Sequence, residues 1–319
     1  MDESKAIQIM KEVGRAVIGK QNCIIQVMAA LLAKGHILIE DIPGVGKTTL
    51  AMAFSRALGL DGRRMQFTPD VMPADIVGFS LYRKEEERFV YQPGAVMCNI
   101  FLADEINRTS PKTQSALLEV MEEGRVSVDG ETRQVPQPFM VLATQNPVGS
   151  AGTQLLPESQ MDRFVMRITM GYPDTEDEIR IVKGRSAGDM LSQVRSLSSA
   201  EEVIRMQEET EQIYVHDILY SYMTQLTRAT RKHPMVQLGA SPRGTIALAR
   251  VAKAIAYLQG RDYVVPRDVQ QVAVDVLAHR LRMQPKAAAA GVTQQSVIQD
   301  ILKSVPEPSV RRKQERSQT

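Results

Sequence analysis

The chain has 319 residues, 43% apolar and 24% charged, long enough for two domains that each bury a core and too apolar for a disordered protein. Its 39 Lys and Arg against 37 Asp and Glu leave a net charge of +2, which argues against a protein whose main task is coating nucleic acid. The two cysteines, Cys23 and Cys98, make no disulfide framework, and no run of 18 apolar residues offers a membrane span. The opening stretch Met1–Lys5 lacks the apolar core of a secretion signal, so a cytoplasmic location is expected. The net charge has an address. Arg311, Arg312, Lys313 and Arg316 against Glu307 and Glu315 account for all of it, leaving 35 charges of each sign in residues 1–303.

The first half alternates short apolar runs with amphipathic stretches. Asn22–Lys34 reads as a helix, with Ile24, Ile25, Val27, Met28, Leu31 and Leu32 at helical spacing. His36–Glu40 reads as a strand and Thr48–Leu58 as a helix. Arg64–Phe67 and Asn99–Ala103 read as strands, and Pro111–Glu123 as a helix with Leu117, Leu118 and Met121 on one side. Phe139–Thr144 and Phe164–Ile168 complete a set of five strands. Strands that read as buried on both faces and are separated by helices predict a parallel α/β sheet. Two hairpins do not fit the repeat. Phe79–Arg83 and Arg88–Tyr91 flank the charged turn Lys84–Glu87, and Val126–Val128 and Thr132–Val135 flank Asp129-Gly130.

Beyond Pro173 the strand signals stop. Asp174–Arg185, Ser199–Ile213, Val215–Lys232, Ser241–Gln259 and Pro266–Arg282 read as helices. Ser199-x-x-Glu202 has the form of a capping box, and Pro242 and Pro266 stand in first turns, where a missing N–H costs nothing. The expected division is an α/β domain over 1–172, an all-α domain over 173–284, and an extension over 285–319 that ends in a basic, flexible tail.

Three motifs carry chemistry. Pro43-Gly44-Val45-Gly46-Lys47-Thr48-Thr49 follows a strand and opens a helix, the setting a phosphate-binding loop requires. Glycines let backbone N–H groups surround phosphate oxygens, Lys47 neutralises their charge, and the Thr48 hydroxyl is a ligand for Mg2+. The full pattern has Gly where this chain has Asp41. Second, the strand Ile100–Ala103 ends in Asp104-Glu105, suited to holding Mg2+ through Asp104 and activating water through Glu105. Third, Leu142–Gln145 ends in Asn146. If that strand lies between the other two, Asn146 faces the γ-phosphate; otherwise Asn146-Pro147 is a simple turn.

These residues stand in the order and spacing of an AAA+ ATPase, and the surrounding wording resembles the MoxR family. Gln66–Gly78, Ala103–Arg108, Pro111–Glu119, Leu156–Phe164 and Leu238–Arg243 carry the resemblance, which spans residues 5–283. An acidic residue at position 41 is common in MoxR-like sequences. The resemblance implies a P-loop AAA+ core with a helical lid, and hydrolysis of ATP with Mg2+ as cofactor. It implies that Ile18 and Gly19 line the adenine pocket, although a loop between helices reads nearly as well. It further implies that Arg163 is an arginine finger acting on a neighbouring subunit, and that Arg243 is a sensor 2 residue reaching the phosphates of its own subunit. Without that context each arginine would be a surface salt bridge. The hairpins resemble family inserts that face a central pore or the ring surface, or else are passive decoration.

The implied assembly is a homo-oligomeric ring, a hexamer, doing chaperone-like remodelling or metal or cofactor insertion on a protein client. Family members often act with a partner that has a von Willebrand factor A domain. The alternatives are a DNA-translocating or chelatase-type motor and a nucleotide-gated scaffold with little turnover. Nucleic acid is disfavoured as a partner by the balanced charge outside the tail. The histidines (His36, His216, His233, His279) have no metal-ligand spacing and, like the cysteines, read as structural.

Overall fold

The structure, a computed structural model, describes residues 4–146, 156–186 and 190–308. Helices α1 (Lys5–Ala16) and α2 (Gln21–Leu32) open the chain, followed by β1 (Ile37–Glu40), α3 (Lys47–Leu58) and β2 (Gly62–Gln66). A short α4 (Pro73–Val77) leads into the hairpin of β3 (Gly78–Arg83) and β4 (Arg88–Pro93). Next come β5 (Ile100–Asp104), α5 (Pro111–Glu123), the hairpin of β6 (Arg125–Val128) and β7 (Glu131–Gln134), and β8 (Met140–Gln145). Then α6 (Glu158–Met161) and β9 (Met166–Ile168) close the α/β part.

Five strands pair in parallel in the order β2-β5-β8-β1-β9. Successive side chains point to opposite faces, and both faces of the central strands β1, β5 and β8 are covered, which is why their runs are apolar without alternation, whereas the edge strand β2 exposes Arg63 and Arg64. Ile37, Ile39, Ile100, Leu102 and Leu142 join the core that contains α1, α2, α3 and the lid helices. Leu38, Phe101, Ala103, Val141 and Ala143 join a second core against Leu117 and Leu118 of α5. Helix α5 is bounded as its ends dictate: Ser110 accepts the Thr113 N–H, Pro111 takes the first position, and Gly124 ends it at φ +64°. The second hairpin turns at Asp129 and Gly130, both at positive φ, as a tight two-residue turn requires. The two hairpins touch, with the Arg133 guanidinium 4.1 Å from the centre of the Tyr91 ring.

The lid contains α7 (Thr175–Ser186), α8 (Ala200–Glu211), α9 (Asp217–Lys232), α10 (Pro242–Leu258) and α11 (Pro266–Leu277). Four details differ from the sequence expectation. Two short strands, β10 (Val236–Leu238) and β11 (Arg282–Met283), pair antiparallel within the lid. They are too short to leave a periodic signal. Helix α11 stops five residues before Arg282, because His279 and Arg280 turn inward to bond the Phe164 carbonyl. Only half of the expected capping box forms. Ser199 accepts the Glu202 N–H, while its hydroxyl donates to Glu201. Finally, packing does not end at residue 284. Helices α12 (Pro285–Ala289) and α13 (Gln294–Ser304) continue the lid, and Val297, Ile298 and Ile301 are buried in its core. The expected extension therefore begins beyond α13, and residues 309–319 of the basic tail lie outside the described residues.

Candidate active site

Sheet register gathers the three motifs. Ala103 pairs with Ala143, and Glu40 with Gln145, so Asp41, Asp104-Glu105 and Asn146 all leave the carboxyl edge of the sheet. Strand β8 lies between β1 and β5, the arrangement on which the expectation for Asn146 depended. In open α/β sheets that edge is where ligands bind.

The loop from Asp41 to Gly46 turns through Gly44 (φ +86°) and Gly46 (φ +98°), conformations closed to most side chains. Pro43 and Gly44 are exposed, and Lys47 and Thr48 begin α3. Lys47 is buried, and its ammonium donates to the Asp41 carbonyl at 2.9 Å. Burial pushes its pKa down, opposed by Asp104, Asp41 and Glu105. Beside the loop is a cavity of about 580 Å3. Ile18, Lys20, Gly44, Val45, Gly46 and Thr49 line it from the core, and Pro173 and Ile181 from the lid side. Gly19 adjoins it at φ +72°, and a Cβ there would lie 2.1 Å from the Asp177 carboxylate of α7. Only glycine lets the lid helix come this close.

The acidic pair is held differently at each member. Asp104 accepts from the Thr144 hydroxyl at 2.6 Å and from Arg64 at 2.8 Å. Glu105 has φ +57°, rare outside glycine and typical of strained functional positions, and its N–H donates to the Thr144 hydroxyl at 2.8 Å. Burial alone would raise the Glu105 pKa. Hydrogen bonds from Arg108 and Asn146 outweigh it and hold the carboxyl below its ordinary value. Asn107 braces the Asn146 backbone on both sides, accepting its N–H and donating to its carbonyl. The Asn146 Oδ1 is buried without a partner among the described residues.

These features fit a nucleoside triphosphate with Mg2+: a glycine-turned loop opening a helix, a buried lysine, an acidic pair and an orphaned amide oxygen. Arg64, Thr144 and Asn107 were not singled out in the sequence. They come from two strands and a turn that only register brings together.

The two arginines lie elsewhere. Arg163 and Arg243 line a second cavity of about 410 Å3, together with Lys34, Glu122, Asp162 and Arg280. It shares no lining residue with the first. One carboxylate serves both: Glu122 accepts from Arg163 at 2.5 Å and from Arg243 at 2.8 Å. The expected reach of Arg243 to the phosphates of its own subunit is therefore not seen. The reason is packing. Helix α10 lies on α2, and its N-cap Ser241 donates to Asp162 at 3.0 Å, which aims its first turn at the end of α5. The Arg163 Nε is buried and has no partner among the described residues.

The pattern of the ATPase family associated with various cellular activities (AAA) matches residues 36–166, and that of the AAA lid domain matches residues 228–301. YeaC of Bacillus subtilis is 45% identical over 94% of this chain and 93% of its own. Chaperone MoxR1 of Mycobacterium tuberculosis is 41% identical over 94% of this chain and 81% of its own. The chain belongs to the MoxR family of AAA+ ATPases. A crystal structure of a Cytophaga hutchinsonii protein superimposes with a TM-score of 0.89 at 37% identity, covering 96% of this chain and 95% of that one. The lid match extends to residue 301 and so includes most of α13, in agreement with its buried face.

His36 also lines the second cavity, and its contacts hold the core together. His36 accepts the Val141 N–H and bonds the Met121 carbonyl, and burial pushes its pKa down to about 4. Burial raises the Cys23 and Cys98 thiols to about 11 and about 12, which makes them poor nucleophiles. Among the described residues no group of three or more His, Cys, Asp and Glu side chains gathers as a metal site of its own, and no helix is long and apolar enough to cross a membrane.

Proposed function

We propose that the chain hydrolyses ATP to ADP and phosphate beside its glycine loop, as one subunit of a homo-oligomeric ring, a hexamer, whose sites are completed by the neighbouring subunit. The observation that carries the reading is the convergence of Lys47, Glu105 and the orphaned Asn146 oxygen at one sheet edge, next to a cavity of about 580 Å3. Glu105 is held ionised and receives the proton of the attacking water. Asn146 orients that water with its free amide oxygen. Lys47 leaves the Asp41 carbonyl for phosphate oxygens. Thr48 and Asp104 are the residues that would hold Mg2+, which supplies charge neutralisation at the phosphates.

Arg163 and Arg243 sit in a cavity apart from their own glycine loop. Both therefore act in trans, on the triphosphate of the adjoining subunit. Such arginines contribute roughly 10³–10⁵ in rate, so the isolated subunit turns over slowly. Turnover drives chaperone-like remodelling of a protein client, or metal or cofactor insertion into it, with a von Willebrand factor A domain protein as the family-type partner. The test is Glu105→Gln. It keeps equilibrium binding of a fluorescent ATP analogue and loses roughly a hundredfold or more in turnover. Turnover near the unmodified rate would overthrow the base assignment.

A further inference from the structure

The departure at position 41 has a structural explanation. Asp41 is buried, and its Oδ1 accepts the N–H of Ile42 at 2.8 Å. Its Oδ2 accepts two more, from Met170 and Gly171, each at 2.6 Å. Those two residues lie between β9 and α7, within the covalent link of residues 169–174 from the core to the lid. Their carbonyls are also taken. The buried Lys20 ammonium donates to Met170 O and Gly171 O, both at 2.9 Å. All four backbone polar groups of Met170 and Gly171 are thus held by two side chains, one acidic and one basic, from two core segments. Charge-assisted bonds of this length are the strong kind. Gly171 is at φ +64° with open space where a Cβ would be, so its backbone can pivot without a side chain in the way. The Met170 side chain ends 4.0 Å from where a Cβ on Gly46 would lie, against the glycine loop itself.

The same Asp41 accepts the Lys47 ammonium through its backbone carbonyl. Phosphate recognition and the hinge therefore meet in one residue. We propose that Asp41 and Lys20 are positioning residues that couple phosphate at the glycine loop to the Met170–Gly171 hinge, so that drawing Lys47 onto phosphate shifts the Asp41 peptide and re-aims the lid. The side chain missing from the glycine-only pattern is the coupling element. This rests on the ATP reading of the cavity.

The informative variant is Asp41→Gly, which restores the glycine pattern and leaves a loop still able to wrap phosphate. Hydrogen exchange by mass spectrometry follows the peptide containing Met170 and Gly171, with and without a non-hydrolysable ATP analogue, while a fluorescent analogue reports binding. In the unmodified chain the hinge amides are protected and their exchange changes when the analogue binds. In Asp41→Gly the hinge exchanges about tenfold faster or more without nucleotide, the analogue still binds, and the hinge no longer responds to it. Turnover falls through kcat with KM little changed. Asp41→Asn, of the same size but uncharged, gives intermediate exchange and covers the case in which the glycine variant fails to fold. Lys20→Met loosens the carbonyl side in the same direction. Unchanged hinge protection in the Asp41 variants, or a normal nucleotide response in Asp41→Gly, overturns the coupling. An unmodified chain that binds no ATP analogue overturns the ATP reading and the coupling together, and is recognised because the control fails and not the variant.

Discussion

Replacing Arg280 with Met tests whether the lid holds the turn that carries Arg163. The Arg280 side chain is 3% exposed and its Asp162 partner 19% exposed, with Nε donating to Asp162 Oδ1 at 2.7 Å. Its other nitrogens donate to the carbonyls of Phe164, Val165 and Val276. Methionine fills the space of the stem and satisfies none of these acceptors. Removing one partner of a buried pair costs about 3–5 kcal/mol, because the other charge stays behind. Asp162 keeps its bond from Ser241 and some contact with water, so the expected loss is about 2–4 kcal/mol. Neutralising the abandoned acid in the double variant Arg280→Met, Asp162→Asn should restore about 1–2 kcal/mol. Urea unfolding followed by far-UV circular dichroism measures both, the chain having no Trp for fluorescence. A loss below about 1 kcal/mol in the single variant, or a double variant no more stable than the single, refutes the reasoning.

The placement of the two arginines makes a mixing prediction. Arg163→Ala and Arg243→Ala should each bind ATP and be inactive, and each should regain part of its turnover when co-assembled with Lys47→Ala. An Arg243→Ala chain that no Lys47→Ala partner rescues would return Arg243 to its own subunit's site. The acid limb of the turnover profile offers another check. Glu105 must be ionised to accept a proton, and the Arg108 hydrogen bond lowers its pKa against the pull of burial, so the acid limb lies lower than it would without Arg108. Arg108→Ala should move that limb to higher pH in a kcat against pH series. A limb that stays put or moves lower removes Arg108 from the control of Glu105.

The core was legible because the central strands β1, β5 and β8 are buried on both faces and so write continuous apolar runs between amphipathic helices; the edge strand β2, with Arg63 and Arg64 exposed, writes none. The glycine loop was legible for a related reason: a backbone that must turn at positive φ and open a helix tolerates few residues, and Gly44, Gly46 and Lys47 stand close together in the chain. The lid was less legible at its edges. β10 and β11 are too short for any period to be visible, and the end of α11 is set by Arg280 reaching the Phe164 carbonyl, a contact across 116 positions.

By itself the sequence determined the βα order, the glycine loop, the acidic pair and the amide at the end of the middle strand, because these are local patterns of spacing and polarity. Tertiary structure decided what those residues touch. Strand register alone brought Arg64 and Thr144 to Asp104. The direction of α10 set Arg243 against Glu122, and the path of the link after β9 brought Met170 and Gly171 onto the Asp41 carboxylate. These contacts join segments far apart in the chain, and their partners are ordinary polar residues. Nothing in local composition marks such a residue until packing fixes which distant group it meets.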